Sequence, residues 1–222
     1  MEELKITSLY RESDKSIVFP FLSDYTYPWE VLDDIKKICV EIGKTLPKDL
    51  YTEISPEVWV AKSAKVAPTA YIGAPCIICE EAEIRHCAFI RGSAIVGRGA
   101  VVGNSVELKN CILFDGVQVP HFNYVGDSIL GYKSHMGAGS ITSNVKSDKT
   151  PVSVACGEER VNTGRKKFGA MLGDYVEVGC NSVLNPGTVI GHHSNVYPLS
   201  SVRGYVPAES IYKGKGNIVK KK

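Results

Sequence analysis

Large apolar residues recur at every sixth position along two stretches of this 222-residue chain. A period of six fits neither the alternation of an isolated strand nor the α-helical turn of about 3.6 residues. Each six-residue unit must therefore contain one short strand and one corner. The first stretch comprises Val60, Val66, Ile72, Ile78, Ile84, Ile90, Val96, Val102, Leu108 and Phe114, and the second comprises Leu172, Val178, Leu184, Ile190, Val196 and Val202.

This repeat predicts an all-β protein, a single-stranded parallel β-helix. The large residue of each unit would fill a narrow core. A small residue stands four positions later, where the chain must turn, as at Ala82, Ala88, Ala94 and Ala100. Three flat faces close one coil, so residues eighteen positions apart (three units of six) should stack on one another.

The repeat divides the chain into three segments: an N-terminal extension (1–55), the β-helix (56–205) and a basic C-terminal tail (206–222). Pro28 and the apolar spacing from Val31 to Ile42 predict one amphipathic helix in the extension, over about 28–43. The tail is either a solvated segment or a rim that attracts a phosphorylated cofactor, because five lysines lie between Lys213 and Lys222.

The repeat is interrupted at two places. It slips between Phe114 and Leu130, and a polar excursion replaces it at about 143–170. Loops of that length are uncommon in compact domains and are usually functional or disordered. We therefore expect functional residues at these interruptions.

Composition excludes several classes of protein. A net charge of +2 argues against a nucleic-acid partner, and no apolar run approaches membrane length. The start of the chain lacks the basic-then-apolar order of a signal peptide, so a cytoplasmic location is expected. Seven cysteines are expected to be reduced, and the close pair Cys76 and Cys79 has no second pair to complete a zinc site.

Two basic residues point to a phosphate site. Arg91 and Lys109 each follow a large apolar residue, so both should face outward, and they lie eighteen positions apart. Two cations one coil apart, roughly 5 Å, repel each other unless an anion bridges them. The alternative is that both are ordinary surface charges, one of them neutralised by Glu107.

His121 is the candidate general base. It lies where the repeat slips, and counting the step from Val125 to Leu130 as a shortened unit places it one coil below Ala138. A general base beside exposed backbone N–H groups is what acyl transfer requires. The alternative is a structural role, which is common for a lone histidine.

With these residues identified, the stretch from Arg91 to Asn144 resembles a known family. It is similar to the left-handed β-helix acetyltransferase domain of the bifunctional N-acetylglucosamine-1-phosphate uridyltransferase / glucosamine-1-phosphate acetyltransferase, and to archaeal sugar-phosphate nucleotidyltransferases. The resemblance implies a left-handed β-helix in which Arg91 and Lys109 bind phosphate. The further roles it implies are a catalytic base for His121, a thioester-oxyanion donor for the N–H of Ala138, and sugar binding for Tyr124 and Asn144. The residues that complete the matching pattern are Gly126, Asp127, Gly137, Gly139, Ile141 and Thr142.

Some positions depart from the family or match it loosely. His135 stands where the bacterial proteins have a substrate asparagine, and the family's lysine after Asn144 corresponds to Lys149, with Lys146 as second choice. Cys180 replaces a serine near the coenzyme A thiol arm. The cofactor-binding set is therefore expected to be Ala138, Cys180, Pro198 and Lys213. The five histidines include no pair spaced like the zinc ligands of hexapeptide carbonic anhydrases.

The resemblance implies an acetyl-CoA-dependent N-acetyltransferase in sugar-nucleotide and cell-envelope precursor synthesis. Its substrate would be glucosamine-1-phosphate or galactosamine-1-phosphate, and its co-substrate would be acetyl-CoA. Acetyl transfer would need no metal ion, and the protein would form a homotrimer. Relatives carry an N-terminal nucleotidyltransferase domain for which the residues before Val58 are too few, so the chain is expected to match their C-terminal half. Two alternatives stay open: a non-catalytic sugar-nucleotide-binding module, and a partner subunit of a separately encoded nucleotidyltransferase.

Overall fold

A computed structural model describes residues 1–12, 14 and 16–221. Most of these residues form a parallel β-helix, which confirms the predicted all-β architecture. In chain order the strands are β1 (Tyr51–Ser55), β2 (Val58–Ala61), β3 (Lys65–Val66), β4 (Tyr71–Ile72), β5 (Cys76–Ile78), β6 (Glu83–Ile84), β7 (Phe89–Ile90), β8 (Ala94–Val96), β9 (Val101–Asn104), β10 (Glu107–Leu113), β11 (Gln118–His121), β12 (Tyr124–Leu130), β13 (His135–Met136), β14 (Ile141–Thr142), β15 (Ser153–Cys156), β16 (Glu159–Asn162), β17 (Ala170–Leu172), β18 (Glu177–Val178), β19 (Val183–Leu184), β20 (Thr188–Ile190), β21 (Asn195–Val196), β22 (Ser201–Val202), β23 (Tyr205–Val206), β24 (Ser210–Gly214) and β25 (Asn217–Lys220).

Stacked strands build three faces. Face 1 consists of β3, β6, β9, β11, β13, β18, β21 and β24. Face 2 consists of β4, β7, the first residues of β10 and β12, and then β14, β19 and β22. Face 3 consists of β2, β5, β8, the last residues of β10 and β12, and then β17, β20 and β23.

The predicted stacking is present in the lower coils. Lys65 pairs with Glu83 and Glu83 with Val101, each eighteen residues on. The core positions of the repeat are buried, apart from Val66, which is 39% exposed, and Ile72, which is partly exposed. Both belong to the first coil, and β3 is the edge strand of its sheet, so no further coil covers that end.

The repeat shortens at the corner between faces 2 and 3, which is earlier than predicted. Leu108 pairs with Ile90, eighteen residues away, but Leu113 pairs with Val96, only seventeen away. Leu113 therefore takes the core position predicted for Phe114, whose ring instead lies 5.0 Å from that of Tyr10 in the extension. Because both residues are apolar, the sequence pattern could not separate them.

The next coil is shortened at the same corner, and in the coil after that the excursion occupies this corner. β10 and β12 pair at an offset of seventeen residues throughout, so Asn110 and Asp127 occupy successive shortened corners. One coil further on, residues 143–169 join β14 to β17. Their central part is an antiparallel hairpin of β15 and β16 with buried Val154.

The N-terminal extension is more divided than the single helix predicted over 28–43. A 3-10 helix (Pro28–Asp33) leads into α-helix Ile35–Thr45. Shorter helices precede it in the described part of the extension, at Glu2–Leu4 (3-10), Ile6–Leu9 and Phe19–Leu22. The side chain of Glu30 accepts hydrogen bonds from the N–H groups of Thr26 and Tyr27, which fixes the start of the 3-10 helix. In the described residues, no helix has the length and apolar character needed to cross a membrane.

This extension covers the outer side of face 3. On each of these strands, the residue directly before the large core residue faces this outer side. These residues are apolar and fully or almost fully buried: Ile77, Ile95, Ile112, Ile129, Met171 and Val189. The helix Ile35–Thr45 contacts β5, β8 and β10, and the 3-10 helix Pro28–Asp33 contacts β12. Face 3 is therefore buried on both sides, as parallel strands usually are.

The predicted tail from residue 206 differs in the structure. β24 pairs with β21 in parallel, so Ser210–Gly214 continues face 1, and β25 folds back against it. Tyr212 is buried and its hydroxyl donates to the carbonyl of Ser201 (2.9 Å). Backbone pairing with β21 and the buried side chain of Tyr212 therefore hold this segment on the β-helix.

Candidate active site

Face 2 brings together four of the residues that the sequence singled out. Arg91 and Lys109 follow the core positions of β7 and β10, and each has a carboxylate partner. Arg91 Nη1 lies 2.9 Å from Glu107 Oε1. Lys109 Nζ lies 3.1 Å from each carboxylate oxygen of Asp127. Glu107 therefore neutralises Arg91, as the alternative interpretation allowed, and Asp127 neutralises Lys109, so the two cations do not depend on a bridging anion.

Asp127 is the residue that connects this cluster. Its carboxylate is buried and accepts hydrogen bonds from Asn110 Nδ2 (3.0 Å) and Asn144 Nδ2 (2.5 Å) as well as from Lys109. Its φ of 47° places it in the left-handed region, which aspartate tolerates better than most residues. The sequence identified Asp127 only as part of a pattern; the shortened step from Val125 to Leu130 was the signal that could have revealed it.

Tyr124 completes the cluster from β12. Its hydroxyl accepts a hydrogen bond from Asn144 Nδ2 (3.2 Å). Burial raises the pKa of Tyr124, and the nearby carboxylates of Asp127 and Glu107 raise it further, so the phenol stays protonated at neutral pH. A side chain at Gly126 would overlap this hydroxyl, which explains the glycine there.

His121 lies at the end of β11, at the corner where face 1 turns into face 2. It is exposed, and its imidazole has no hydrogen-bond partner among the residues described. Its carbonyl accepts from Gly139 N (3.0 Å), so the coil that carries Ala138 lies directly next to it. Buried Asn123 fixes this corner, because it accepts from the His121 N–H and donates to the carbonyls of Gly137 and Ser140.

The residues predicted to bind the cofactor form a column on the same corner. Asn181 N donates to the carbonyl of Ala138 (2.8 Å), and Leu199 N donates to that of Cys180 (2.9 Å), so Ala138, Cys180 and Pro198 occupy successive coils. Lys213 Nζ lies one coil higher, 5.8 Å from the centre of the Tyr197 ring.

The N–H of Ala138 is available for a ligand. Within the described part of the chain it donates to no acceptor. At the corner between faces 3 and 1, by contrast, the N–H groups of Arg98 and Tyr132 donate to the side chains of Asp115 and Asp174 in the next coil. The residue next to Ala138 in the following coil is Cys180, an exposed free cysteine.

Other predicted site residues lie away from the face 2 cluster. His135 is on face 1, where Nδ1 lies 2.9 Å from Glu177 Oε2. Lys149 is exposed on the excursion, and Lys146 is held locally by Asp148 and Thr150. Across the described residues, no group of three or more His, Cys, Asp or Glu side chains could hold a metal ion.

Comparison with known proteins identifies the family. A sequence profile of the GMPPB C-terminal domain matches residues 74–201, more than half of the chain. The chain belongs to this family. The match includes every residue of the face 2 cluster and both His121 and Ala138.

Two archaeal proteins are similar to this chain in sequence. The bifunctional protein GlmU of Methanococcus aeolicus is 32% identical over 207 residues, which is 91% of this chain and 50% of that protein. A bifunctional sugar-1-phosphate nucleotidylyltransferase/acetyltransferase of Sulfurisphaera tokodaii is 32% identical over 126 residues, 57% of this chain and 31% of that protein. These matches confirm the resemblance seen between Arg91 and Asn144. The chain spans half or less of the length of these two relatives.

Among solved structures, the acetyltransferase domain of PglB from Neisseria gonorrhoeae in complex with acetyl coenzyme A gives a TM-score of 0.36 at 15% identity, covering 72% of this chain and 56% of that one. A hexapeptide transferase family protein from Anaplasma phagocytophilum gives a TM-score of 0.39 at 14% identity, covering 73% and 78%.

Proposed function

We propose that this chain is an acetyl-CoA-dependent N-acetyltransferase that acts on an amino-sugar 1-phosphate, glucosamine-1-phosphate or galactosamine-1-phosphate. One observation carries the proposal: Asp127 and Asn144 connect Lys109 and Tyr124 in one hydrogen-bonded network on face 2, with Arg91 one coil below Lys109, and His121 and Ala138 lie at the corner beside it. The name of the Sulfurisphaera tokodaii relative, a bifunctional sugar-1-phosphate nucleotidylyltransferase/acetyltransferase, supports the same chemistry.

In this proposal, Arg91 and Lys109 bind the phosphate while they keep their carboxylate partners. Lys109 has three N–H donors and Arg91 has five, so the ion pairs to Asp127 and Glu107 leave donors free. Tyr124 and Asn144 orient the sugar ring. Fixing the amine close to the thioester would supply much of the rate enhancement.

The acetyl transfer itself takes place at the corner between faces 1 and 2, where His121 and Ala138 lie. The amine nitrogen of the sugar attacks the thioester carbonyl carbon of acetyl-CoA, and His121 Nε2 or Nδ1 accepts the proton that the amine loses. The N–H of Ala138 donates to the oxyanion of the tetrahedral intermediate. The C–N bond forms, the C–S bond breaks, and coenzyme A leaves as a thiol after it receives the proton from His121.

A thiol-release assay on both amino-sugar 1-phosphates tests the proposal. Wild-type protein should release coenzyme A in the presence of one of them, and His121→Ala should lower kcat by about 100-fold or more. The melting temperature of this variant should not change, because the His121 side chain is exposed. Acetyl transfer that survives His121→Ala would contradict the assigned base.

His86→Ala is the matched control. His86 occupies the same corner two coils lower, where its carbonyl accepts from Asn104 and its ring contacts Thr69 (2.9 Å). Activity of the control should remain at the wild-type level. A protein that releases no thiol with either sugar phosphate would exclude the enzyme proposal.

The second candidate is a sugar-nucleotide-binding module without turnover. The exposed His121 favours it, because a general base is usually oriented by a hydrogen bond and this imidazole has no such partner among the described residues. Calorimetry separates the two: binding of a UDP-linked sugar without release of thiol from acetyl-CoA would favour the module.

A further inference from the structure

We infer that Asp127 is a positioning residue that fixes which atoms of the face 2 cluster donate and which accept hydrogen bonds. The inference rests on the proposed function and deepens it, because it states the chemistry of the ligand atoms that face Asn144 and Tyr124.

The direction of the hydrogen bonds begins at the carboxylate. An ionised carboxylate only accepts, so the atom of Asn144 that lies 2.5 Å from Asp127 Oδ2 must be its amide nitrogen. The same nitrogen donates its second hydrogen to the Tyr124 hydroxyl (3.2 Å). Both donors of the amide are then used, and only the carbonyl oxygen Oδ1 of Asn144 remains for a ligand.

The direction continues to Tyr124. Its hydroxyl oxygen accepts from Asn144, so its own O–H hydrogen is left to point elsewhere. The raised pKa of Tyr124 keeps that hydrogen in place at neutral pH. Tyr124 therefore presents a donor, and Asn144 presents an acceptor.

This arrangement specifies the ligand. An acceptor, such as a ring or phosphate oxygen, belongs opposite the Tyr124 O–H, and a phosphate oxygen belongs opposite Lys109. A donor, such as a ring hydroxyl or an amine, belongs opposite Asn144 Oδ1. An unphosphorylated sugar would offer Lys109 only neutral hydroxyl oxygens, which accept weaker hydrogen bonds from a cation than phosphate oxygens do.

Asp127 is itself held firmly. It accepts from one cation and two amides, which offsets the cost of burying its charge. Asn110, one of the two amide donors, also donates to the carbonyl of Leu32 in the extension (3.1 Å). The carboxylate is thus fixed between the β-helix, the excursion and the extension.

Asp127→Asn tests the inference, because an amide can donate as well as accept and no longer dictates the orientation of Asn144. The variant also removes the counter-charge of Lys109, which by itself would strengthen phosphate binding. KM for glucosamine-1-phosphate or galactosamine-1-phosphate should nevertheless rise about tenfold or more, because the orientation of Asn144 and Tyr124 is lost, while kcat changes by about threefold or less. Asp115→Asn is the control, since Asp115 accepts the Arg98 N–H at a different corner, and KM should not change. An unchanged KM in Asp127→Asn would overturn the inference.

A swap of the two residues separates positioning from simple support of the fold. In Asp127→Asn/Asn144→Asp, the amide at position 127 can donate to the carboxylate at 144, so the melting temperature should recover. Tyr124 would then donate to that carboxylate and lose its donor for the ligand, so KM should stay high. Recovery of KM together with stability would show a purely structural role and overturn the inference.

Two further measurements keep the outcome clear. If Asp127→Asn does not fold, Tyr124→Phe removes the predicted donor, and calorimetry should show about fivefold weaker binding of the sugar 1-phosphate at an unchanged melting temperature; unchanged binding overturns the inference. If wild-type protein binds neither sugar 1-phosphate, the proposed function fails and this inference fails with it. Wild-type binding that is equal in Asp127→Asn overturns the inference alone.

Discussion

Gly126 shows how a single residue shapes the candidate site. It follows the core position Val125 on β12, and any side chain there would overlap the hydroxyl of Tyr124. The obstacle is the far end of a side chain rather than backbone, so the tyrosine can move away. A methyl group at this position should therefore disturb the site more than the fold.

We predict that Gly126→Ala raises KM for the sugar 1-phosphate about fivefold or more and costs about 1–3 kcal/mol of stability at most. Acetylation kinetics and thermal melts check both values. Gly99→Ala is the control, because Gly99 has a φ of 64° with no atom within 4 Å of the added carbon, so it should lose a little stability without a change in KM. A wild-type KM in Gly126→Ala would show that the Tyr124 hydroxyl does not contact the ligand.

His192 gives the fold a dependence on pH. Burial lowers the pKa of this histidine, and the charges of Arg11 and His193 lower it further. The unfolded chain then binds a proton more tightly than the folded chain, so stability should fall as pH drops below about 6.5. Urea unfolding at neutral and mildly acidic pH should show this fall in wild type and a smaller fall in His192→Gln. An equal slope in the two proteins would contradict the assignment, and the exposed His86→Gln is the control.

At the scale of elements, the extension and face 3 stabilise each other. The helix Ile35–Thr45 places Ile35, Ile38 and Ile42 in the core, against apolar residues that an uncovered β-helix would expose. Aromatic contacts extend this interface between the extension and the β-helix: the centre of the Trp29 ring lies 5.6 Å from that of Phe168, at the end of the excursion. An ion pair between Asp33 and Arg165 links the same two segments.

Ile35→Ala should therefore lower the free energy of unfolding by about 2–5 kcal/mol, the range for deletion of a buried aliphatic side chain. Urea unfolding measures this change. Ile54→Ala is the matched control, because Ile54 is 57% exposed, and its cost should be within about 0.5 kcal/mol. A cost below that of the control would show that the extension is not needed for the fold.

The predicted helix in the extension illustrates what a sequence pattern can and cannot supply. Apolar spacing from Val31 to Ile42 correctly located helical structure, since spacing of three and four residues reports one buried face. The division at Asp34 was not visible, because it depends on where Trp29 and Leu32 must pack against other segments. Asp34 there accepts a hydrogen bond from the hydroxyl of Tyr25 (2.7 Å).

At the scale of the whole molecule, face 2 remains open while face 3 is covered. Tyr71 and Phe89 are 60% and 44% exposed on face 2, with ring centres 5.5 Å apart. Contiguous exposed aromatic surface often marks an interaction site. The homotrimer implied by the family resemblance would place a second copy of the chain near this face.

Light scattering coupled to gel filtration tests the trimer. The expected mass is about three times the 24.2 kDa of the chain. A mass of one chain at micromolar concentration would contradict the prediction, and thiol release by such a monomer would show that one copy completes the site.

The sequence by itself determined the coils, their three faces and the outward direction of Arg91 and Lys109, because a six-residue period is a local property. It also located His121 and the excursion at interruptions of that period. Only the tertiary structure decided that Asp127 connects Lys109, Asn110 and Asn144. That result depends on two successive shortened corners, the first of which is concealed by the adjacent apolar residues Leu113 and Phe114. The cover on face 3 and the ion pairs of the cluster likewise join residues that are distant along the chain, and no local pattern records such contacts.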